Sequence, residues 1–368
     1  QTPRYTDSGI MFLSVENIHS LRSNKYISHE DFKRDFKVYP EEGDVLMTRI
    51  GDIGTANVVE TNEEKAYYVT LALLKKKGMD PYFLKENIHS PSVKRELRHR
   101  TLHIAFPKKI NMDEIGKILI NYPCNLEQQK IGEFFKVLDQ RIVNQERKIA
   151  KVKALKSAYL DEMFPQEGET VPKRRFKGFE GEWEAVKLKE IADIIGGGTP
   201  STSNKDYWNG KIDWYSPTEI GNHVYASGSL KTITELGLQK CSATILPANR
   251  TILFTSRAGI GDMAILIKDG ATNQGFQSLV LKDLIDIYFI YSMGYKIKEY
   301  ALTNASGSTF LEVSGKILEN MDVILPSYKE QQKIGQFFKN LDDQITTEEK
   351  KLEKLKKMKE AYLEEMFV

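Results

Sequence analysis

The chain of 368 residues carries 53 Lys and Arg against 51 Asp and Glu, a formal net charge of +2, with 28% charged and 40% hydrophobic residues. At roughly 150 residues per domain this makes two or three domains with proper cores; it is neither a disordered chain nor a polycation, so any nucleic-acid partner must be met by local patches. Two cysteines, Cys124 and Cys241, exclude a disulfide framework and a cysteine-rich zinc site, and no apolar run approaches the roughly 18 residues of a membrane span, so a reducing cytoplasm and no membrane are expected.

Residues 1–122 open on Gln1-Thr2-Pro3-Arg4-Tyr5, which has no apolar core and is no signal peptide. The region reads as α+β. The apolar run Asp44-Val-Leu-Met-Thr-Arg49 ends in a turn with Gly51 and Gly54, and a helical stretch is expected around 113–120. Asp80-Pro81-Tyr82-Phe83 bears a faint likeness to an amino-methyltransferase loop, but it lacks the second proline and any preceding cofactor-binding strand–loop–helix. The stretch 94–103, Lys-Arg-Glu-Leu-Arg-His-Arg-Thr-Leu-His, sets four cations and two histidines against one acid, either a solvated face or a nucleic-acid contact.

Pro123 precedes an unbroken helical pattern, placed at 123–165. Residues 166–325 form a second α+β region, with short strands such as 251–254 and 263–267 and a helical stretch at 283–300. This region has a lead-in, from Val171 through Arg174-Arg175-Phe176-Lys177-Gly178-Phe179-Glu180-Gly181-Glu182-Trp183 to Gly198, before its Thr199-Pro200. The first region begins almost on Thr2-Pro3, so a truncated start lacking about 30 residues is expected there. The glycines of 176–181 read as a surface turn, since no apolar strand precedes them and Phe179 would crowd a cofactor. Pro326 precedes a second helical pattern, placed at 326–368.

The two helical segments are copies. Glu127-Gln-Gln-Lys-Ile-Gly-Glu-Phe-Phe-Lys-Val-Leu-Asp139 recurs 203 residues later as Glu330-Gln-Gln-Lys-Ile-Gly-Gln-Phe-Phe-Lys-Asn-Leu-Asp342, and 23 of the 38 positions in 127–164 are identical in 330–367. The period is far too long for a solenoid, so the chain reads as a duplicated half-molecule. A seam stepping by 4 and 3 runs through Ile131, Phe135, Leu138, Ile142, Gln145, Ile149, Val152, Lys156, Tyr159 and Met163. It repeats from Ile334 to Met366 with polar breaks at the same two places. One copy alone fits a bundle-core helix equally well; two copies with one seam favour mutual pairing as a coiled coil, and pseudo-twofold symmetry then requires the helices to run antiparallel. Aligning the breaks sets Lys156 beside Glu348, Gln145 beside Lys359, Ile149 with Leu355 and Val152 with Leu352.

No phosphate-binding Gly-x-x-x-x-Gly-Lys-Ser/Thr loop occurs, the six histidines have no metal-ligand spacing, and no nucleophile is paired with a base, which points to a binding protein. Arg49 and Arg257, taken as counterparts, each end an apolar run in a glycine turn. There the guanidinium can meet guanine O6/N7 or a phosphate, or else close a structural ion pair. Thr48, Thr255 and Ser256 beside them are candidate phosphate ligands, as are Arg98 and Arg100, and Arg4 joins the candidate DNA contacts. Asn222, His223, Asn273, Gln274 and Gln277 can read adenine edges.

These residues carry a resemblance. Gly198-Thr-Pro with Tyr207-Trp and Gly210-Lys-Ile, then Ser256-Arg257-Ala-Gly259-Ile-Gly261, Asn273-Gln274, and above all the Pro326 to Asp342 segment and its earlier copy, resemble the DNA specificity (S) subunit of type I restriction–modification enzymes. The likeness spans nearly the whole chain, departing from the family pattern in the first lead-in and at Pro123-Cys124-Asn125-Leu126. It implies two target recognition domains, at 1–122 and 166–325, each reading half of a bipartite target in double-stranded DNA. It implies spacer helices at 123–165 and 326–368, which hold the domains and bind two methyltransferase subunits, with two restriction/translocase subunits joining for cleavage. The chain itself would be non-catalytic and without cofactor; S-adenosylmethionine, ATP and Mg would belong to the partner subunits. A specificity module of another methyltransferase assembly, or a coiled-coil scaffold with protein-binding ends, are the alternatives.

Spacer helices near 45 Å, at 1.5 Å per residue, would set the half-sites about 10–13 base pairs apart. Inserting four residues, about one turn, into one helix should lengthen the non-specific spacer and leave both half-sites unchanged. Unchanged spacing among the adenines methylated with that variant would refute the ruler.

Overall fold

The computed structural model describes residues 3–221, 223–257, 259–307 and 311–367. The fold is α+β and divides into two compact units, Gln1–Lys148 with Glu349–Val368, and Ile149–Glu348. The two long helices are Asn125–Met163 and Tyr328–Met366, 39 residues each, and each contributes to both units.

In the first unit, Val45–Ile50 is the central strand of an antiparallel sheet between Asp52–Val58 and Leu71–Leu74. A second small sheet sets Ile10–Leu13 between Tyr26–Ile27 and Lys65–Tyr67. Helices Pro81–His89 and Pro91–Arg100 close over the first sheet, where Val45, Met47, Ala72, Ile88, Val93 and Leu97 form a buried cluster. In the second unit the corresponding strand Thr251–Phe254 lies in a five-stranded sheet between Met263–Leu266 and Gln277–Leu281, all four of its residues buried. Its lead-in is structured: strand Glu184–Lys187 pairs antiparallel with Asp322–Leu325.

One joint recurs in both units and explains the most strictly repeated residues. Asp80 caps helix Pro81–His89 by accepting the Phe83 N–H at 2.9 Å, which gives Asp80-Pro-Tyr-Phe a helix-capping role. Asp286 caps Ile287–Ser292 in the same way, accepting from Phe289 N–H at 2.8 Å. Gln128 then clamps the cap to the long helix: its Oε1 accepts the Asp80 N–H at 3.1 Å and its Nε2 donates to the Pro123 carbonyl at 2.8 Å. Gln331 repeats both bonds with Asp286, at 3.1 Å, and Pro326, at 3.0 Å. One helical turn on, Gly132 and Gly335 bring the helix backbone against the capping carboxylates. A Cβ on either would lie 2.2 Å from the Asp80 or Asp286 Oδ1. The sequence Gln-Gln-Lys-Ile-Gly, with its first glutamine as the clamp, is thus a docking notch, and only glycine fits at its end.

Beyond the notch the long helices pair antiparallel within each unit. In the first, Phe135 meets Phe367, Lys359 Nζ donates to Asp139 Oδ1 at 2.6 Å, and Glu146 pairs with Lys356 at 2.7 Å. In the second, Phe164 packs on Phe338, Tyr159 on Phe337, and Lys156 Nζ donates to Asp342 Oδ1 at 2.5 Å. This corrects the register expected from the sequence. Lys156 faces Asp342, six residues from Glu348, and Lys359 faces Asp139, six residues from Gln145. Val152 accordingly belongs to the cluster with Ile345, and Leu355 packs on the one with Ile142. The aromatic ends of the seam are its bulkiest packing and set the slide; the flexible lysines then reach the carboxylate that this slide brings near.

The lysine–aspartate pair is embedded differently in each unit. Asp342 is buried and also accepts from the Tyr288 hydroxyl at 2.9 Å, and the combination of burial and this carboxylate pushes the phenol far up. Asp139 instead joins Lys85 and Lys359 around Glu86, which is 1% exposed and lies 2.9 Å from both ammonium groups. Burial drives the Glu86 carboxyl up, but His89, Lys85 and Lys359 together outweigh it and hold the group below the usual carboxylate range.

Gly132→Ala or Gly335→Ala should therefore cost about 1–3 kcal/mol by overpacking the notch, read as a lowered Tm with the helical content of the long helices retained. Lys359→Met should cost about 3–5 kcal/mol, because the buried Glu86 and the half-buried Asp139 keep one cation fewer. For Glu86 the depressed folded value fixes the sign. Its contribution is complete above the ordinary 4.5 and is lost as pH falls through the folded value. The Tm gap between the parent and Glu86→Gln should be full at pH 7 and narrow below about pH 4.5.

Candidate nucleic-acid interface

The hairpin after the central strand decides which candidate residues reach solvent. Thr48 and Thr255 are fully buried. Each hydroxyl accepts an N–H from across its hairpin, Thr55 at 3.0 Å and Asp262 at 2.9 Å, and Thr255 also donates to the Gly259 carbonyl at 2.5 Å. They staple the turns and cannot meet a phosphate. Ser256 is buried too, and its hydroxyl has no hydrogen-bond partner among the described residues.

The pairing of Arg49 with Arg257 also needs correction. Arg49 N–H donates to Thr70 and its carbonyl accepts from Ile110; Ser256 N–H donates to Gly275 and its carbonyl accepts from Val313. The structural counterpart of Arg49 is Ser256, because the second hairpin presents its arginine one position later. Arg49 Nε and Nη1 donate to the Ile110 and Val69 carbonyls at 3.1 and 3.0 Å, so its guanidinium braces loops of its own unit. Arg257 is freer: its side chain is 34% exposed, and Glu312 stands 3.6 Å away.

Around Arg257 the second unit gathers five loops. Gly198 N–H donates to Thr272, Thr199 Oγ1 donates to Gln274 Oε1, Asn273 Oδ1 accepts from Gly275 N–H at 2.8 Å, and Ser256 bonds both Gly275 and Val313. Pro217 lies against Gly275, and Gln277 against Gly315. Gln274 and His223 are exposed, and Asn273 and Gln277 half-buried. Arg257, Gln274, Asn273 and Gln277 thus share one loop cluster, with Thr199 as a member that no charge or amide signal marked. Asn222 lies outside the described residues.

The first unit offers a different surface. Along helix Pro91–Arg100, Lys94, Arg95, Arg98 and His99 are exposed. The following loop adds exposed His103, Lys108 and Lys109, with Ile104 and Phe106 wholly exposed between them. Arg98 stays a candidate phosphate contact. Arg100 does not: it bridges Glu96 and Glu114, each at 3.1 Å, and bonds to Glu114 and Glu96 raise its affinity for the proton. Arg4 is exposed, on a surface cleft shared with Arg34, Asp35 and Tyr68. Among the described residues no group of three or more His, Cys, Asp and Glu is placed to hold a metal, and no helix is long and apolar enough to cross a membrane. The arrangement can bind and discriminate a polar, anionic partner through side-chain forks and amides.

Comparison with known proteins agrees with this geometry. Residues 180–357 match the type I restriction modification DNA specificity domain. The chain is 39% identical over 182 residues to the type I restriction enzyme MjaIX specificity subunit of Methanocaldococcus jannaschii, covering 48% of this chain and 42% of that protein. It is 33% identical over 172 residues to the EcoR124I/EcoR124II specificity subunit of Escherichia coli, covering 44% of this chain and 42% of that protein. These matches therefore span less than half the length of either relative. In fold it resembles the crystal structure of a type I restriction–modification S subunit from M. genitalium, with a TM-score of 0.63 at 17% identity over 99% of this chain and 90% of that one. Over residues 180–357, just under half of the chain, the protein is therefore similar to type I restriction–modification DNA specificity domains, and its fold resembles that of an S subunit.

Proposed function

We propose that the chain is the non-catalytic subunit that binds double-stranded DNA for a cytoplasmic type I restriction–modification complex. Each unit reads one half of a bipartite target. The long helices serve two methyltransferase subunits, with two restriction/translocase subunits joining them, and S-adenosylmethionine, ATP and Mg act on those partners. The observation that carries this reading is the Arg257 loop cluster inside the matched domain. Arg257 and the amides of Asn273, Gln274 and Gln277 lie on neighbouring segments tied together by the Ser256–Gly275 and Ser256–Val313 backbone bonds, while the neighbouring threonines are buried and carry the frame. Arg257 and the amides of Asn273, Gln274 and Gln277 are the base readers of the second unit. Lys94, Arg95 and Arg98 hold phosphates in the first.

Binding to cognate and scrambled DNA, with and without the methyltransferase partner and at two salt concentrations, tests the reading. Arg257→Ala should cost about 1–3 kcal/mol on the cognate half-site and relax one position. Arg95→Ala and Arg98→Ala should weaken binding to every sequence and flatten the salt dependence by about one unit each. Arg100→Ala should lower Tm and leave that slope unchanged. If Arg257→Ala binds both DNAs as the parent does, Arg257 is no reader and the role passes to Asn273, Gln274 and Gln277. Absence of sequence-dependent binding in both preparations would leave a protein-binding scaffold as the better account.

A further inference from the structure

The two units share a frame, so a surface covered in one can be compared residue by residue with its equivalent in the other. In the second unit, residues 173–187 wrap the start of the helix Tyr328–Met366. Arg175 grips Glu330 with two bonds, Nε to Oε1 and Nη2 to Oε2, both 2.7 Å, and Glu330 is 1% exposed. Phe176 packs on Phe337, with Lys333 over its ring. Trp183 is buried between Phe164 and Phe289. Strand Glu184–Lys187 then pairs with Asp322–Leu325, burying Val323 and Leu325.

Subtracting 203 gives the same surface in the first unit. Glu330 becomes Glu127, which is exposed; Phe337 becomes Phe134, which is 39% exposed. Strand 322–325 becomes 119–122, an extended stretch without a sheet partner, with Leu119 86% and Tyr122 66% exposed. Phe164, which with Phe289 encloses Trp183, corresponds to Phe367, 203 residues on; Phe289, third after the capping Asp286, corresponds to Phe83, third after the capping Asp80. Phe367 and Phe83 line a cavity of about 270 Å³ together with Ile131, Leu119, Tyr122 and Glu127. The first unit therefore repeats every contact point of the lead-in: a carboxylate for an arginine, an aromatic shelf, an aromatic-walled cavity and a strand edge.

We infer that this surface is a docking site for an extended polypeptide segment with the chemistry of residues 173–187: an arginine followed by an aromatic, a tryptophan eight residues after the arginine, then a β-strand. The occupant is specified by the second unit, where that chemistry fills the equivalent surface. Strand addition at 119–122 supplies backbone hydrogen bonds, and Glu127 and the cavity supply selectivity. The inference does not depend on the DNA reading, because none of the proposed base or phosphate contacts takes part.

The probe is a fluorescent peptide of residues 173–187 added to the full chain, with a scrambled peptide as control. The expected result is saturable binding of one peptide per chain. Peptides carrying Trp183→Ala or Arg175→Ala should bind at least tenfold more weakly, and so should the parent peptide to a Glu127→Gln or Leu119→Asp chain. Both chain positions are exposed, so these variants should keep the parent Tm, which separates lost docking from lost folding. A photo-reactive group at the tryptophan position should crosslink to Phe83, Tyr122 or Met366. No saturable binding, equal binding of the scrambled peptide, indifference to Glu127→Gln and Leu119→Asp, or crosslinks confined to the second unit would each overturn the proposal.

Discussion

Both units hang on the contact between a helix-capping aspartate and a glycine of a long helix. Asp80 and Asp286 each satisfy the first turn of a short helix while their carboxylates rest where the Cβ of Gly132 or Gly335 would be. A glutamine one turn earlier ties the cap backbone to the proline that precedes the long helix. Four residue types, Asp, Pro, Gln and Gly, thus fix a globular body to a helix. Beside the notch packs an aromatic cluster, Phe83 with Phe135 and Phe367 in one unit and Phe289 with Phe164 and Phe338 in the other. The register of the helix pair follows from that cluster, and the buried lysine–aspartate pair follows from the register.

A rigid joint of this kind separates framework from surface. The buried threonines of the hairpins, the Arg49 brace and the Arg100 bridge hold loops in place, and the groups left over are those that can meet a partner. The two units differ in what is left over. The second presents a guanidinium and amides on linked neighbouring segments, of the kind that can meet base edges; the first presents a row of cations with an apolar tip, of the kind that can meet a backbone. A duplicated frame with unlike surfaces fits the proposal that the two units meet different parts of one target.

Much of this frame was legible in the sequence. The two long helices follow from the periodicity, their mutual pairing from the repeated seam, and its antiparallel direction from the pseudo-twofold symmetry that the 203-residue repeat implies. The register was not legible. Matching polar break to polar break ignored that Lys156 and Lys359 are long enough to reach a carboxylate away from the opposite break, while Phe164 and Phe338 are rigid. Nor could the sequence sort Arg49 from Arg257. Both end an apolar run beside glycines, and only the backbone bonds of Arg49 and Ser256 reveal the one-residue difference that turns one arginine inward. Thr48, Thr255 and Ser256 look like phosphate ligands in any string of letters, yet their hairpins bury them. The Gln–Gly notch was visible as repetition, and its meaning depended on knowing which aspartate lay across it.

The central claim is that sequence choice resides in this chain and is divided between its two units. The most direct test maps methylated adenines in cells producing the chain with its methyltransferase partner, and again after residues 192–281 are replaced by the matching segment of a related specificity subunit. The account predicts two short fixed half-sites separated by unspecified bases, and a swap that rewrites one half while leaving the other intact. A single contiguous motif, a swap that alters both halves together, or methylation that does not depend on the chain would contradict it.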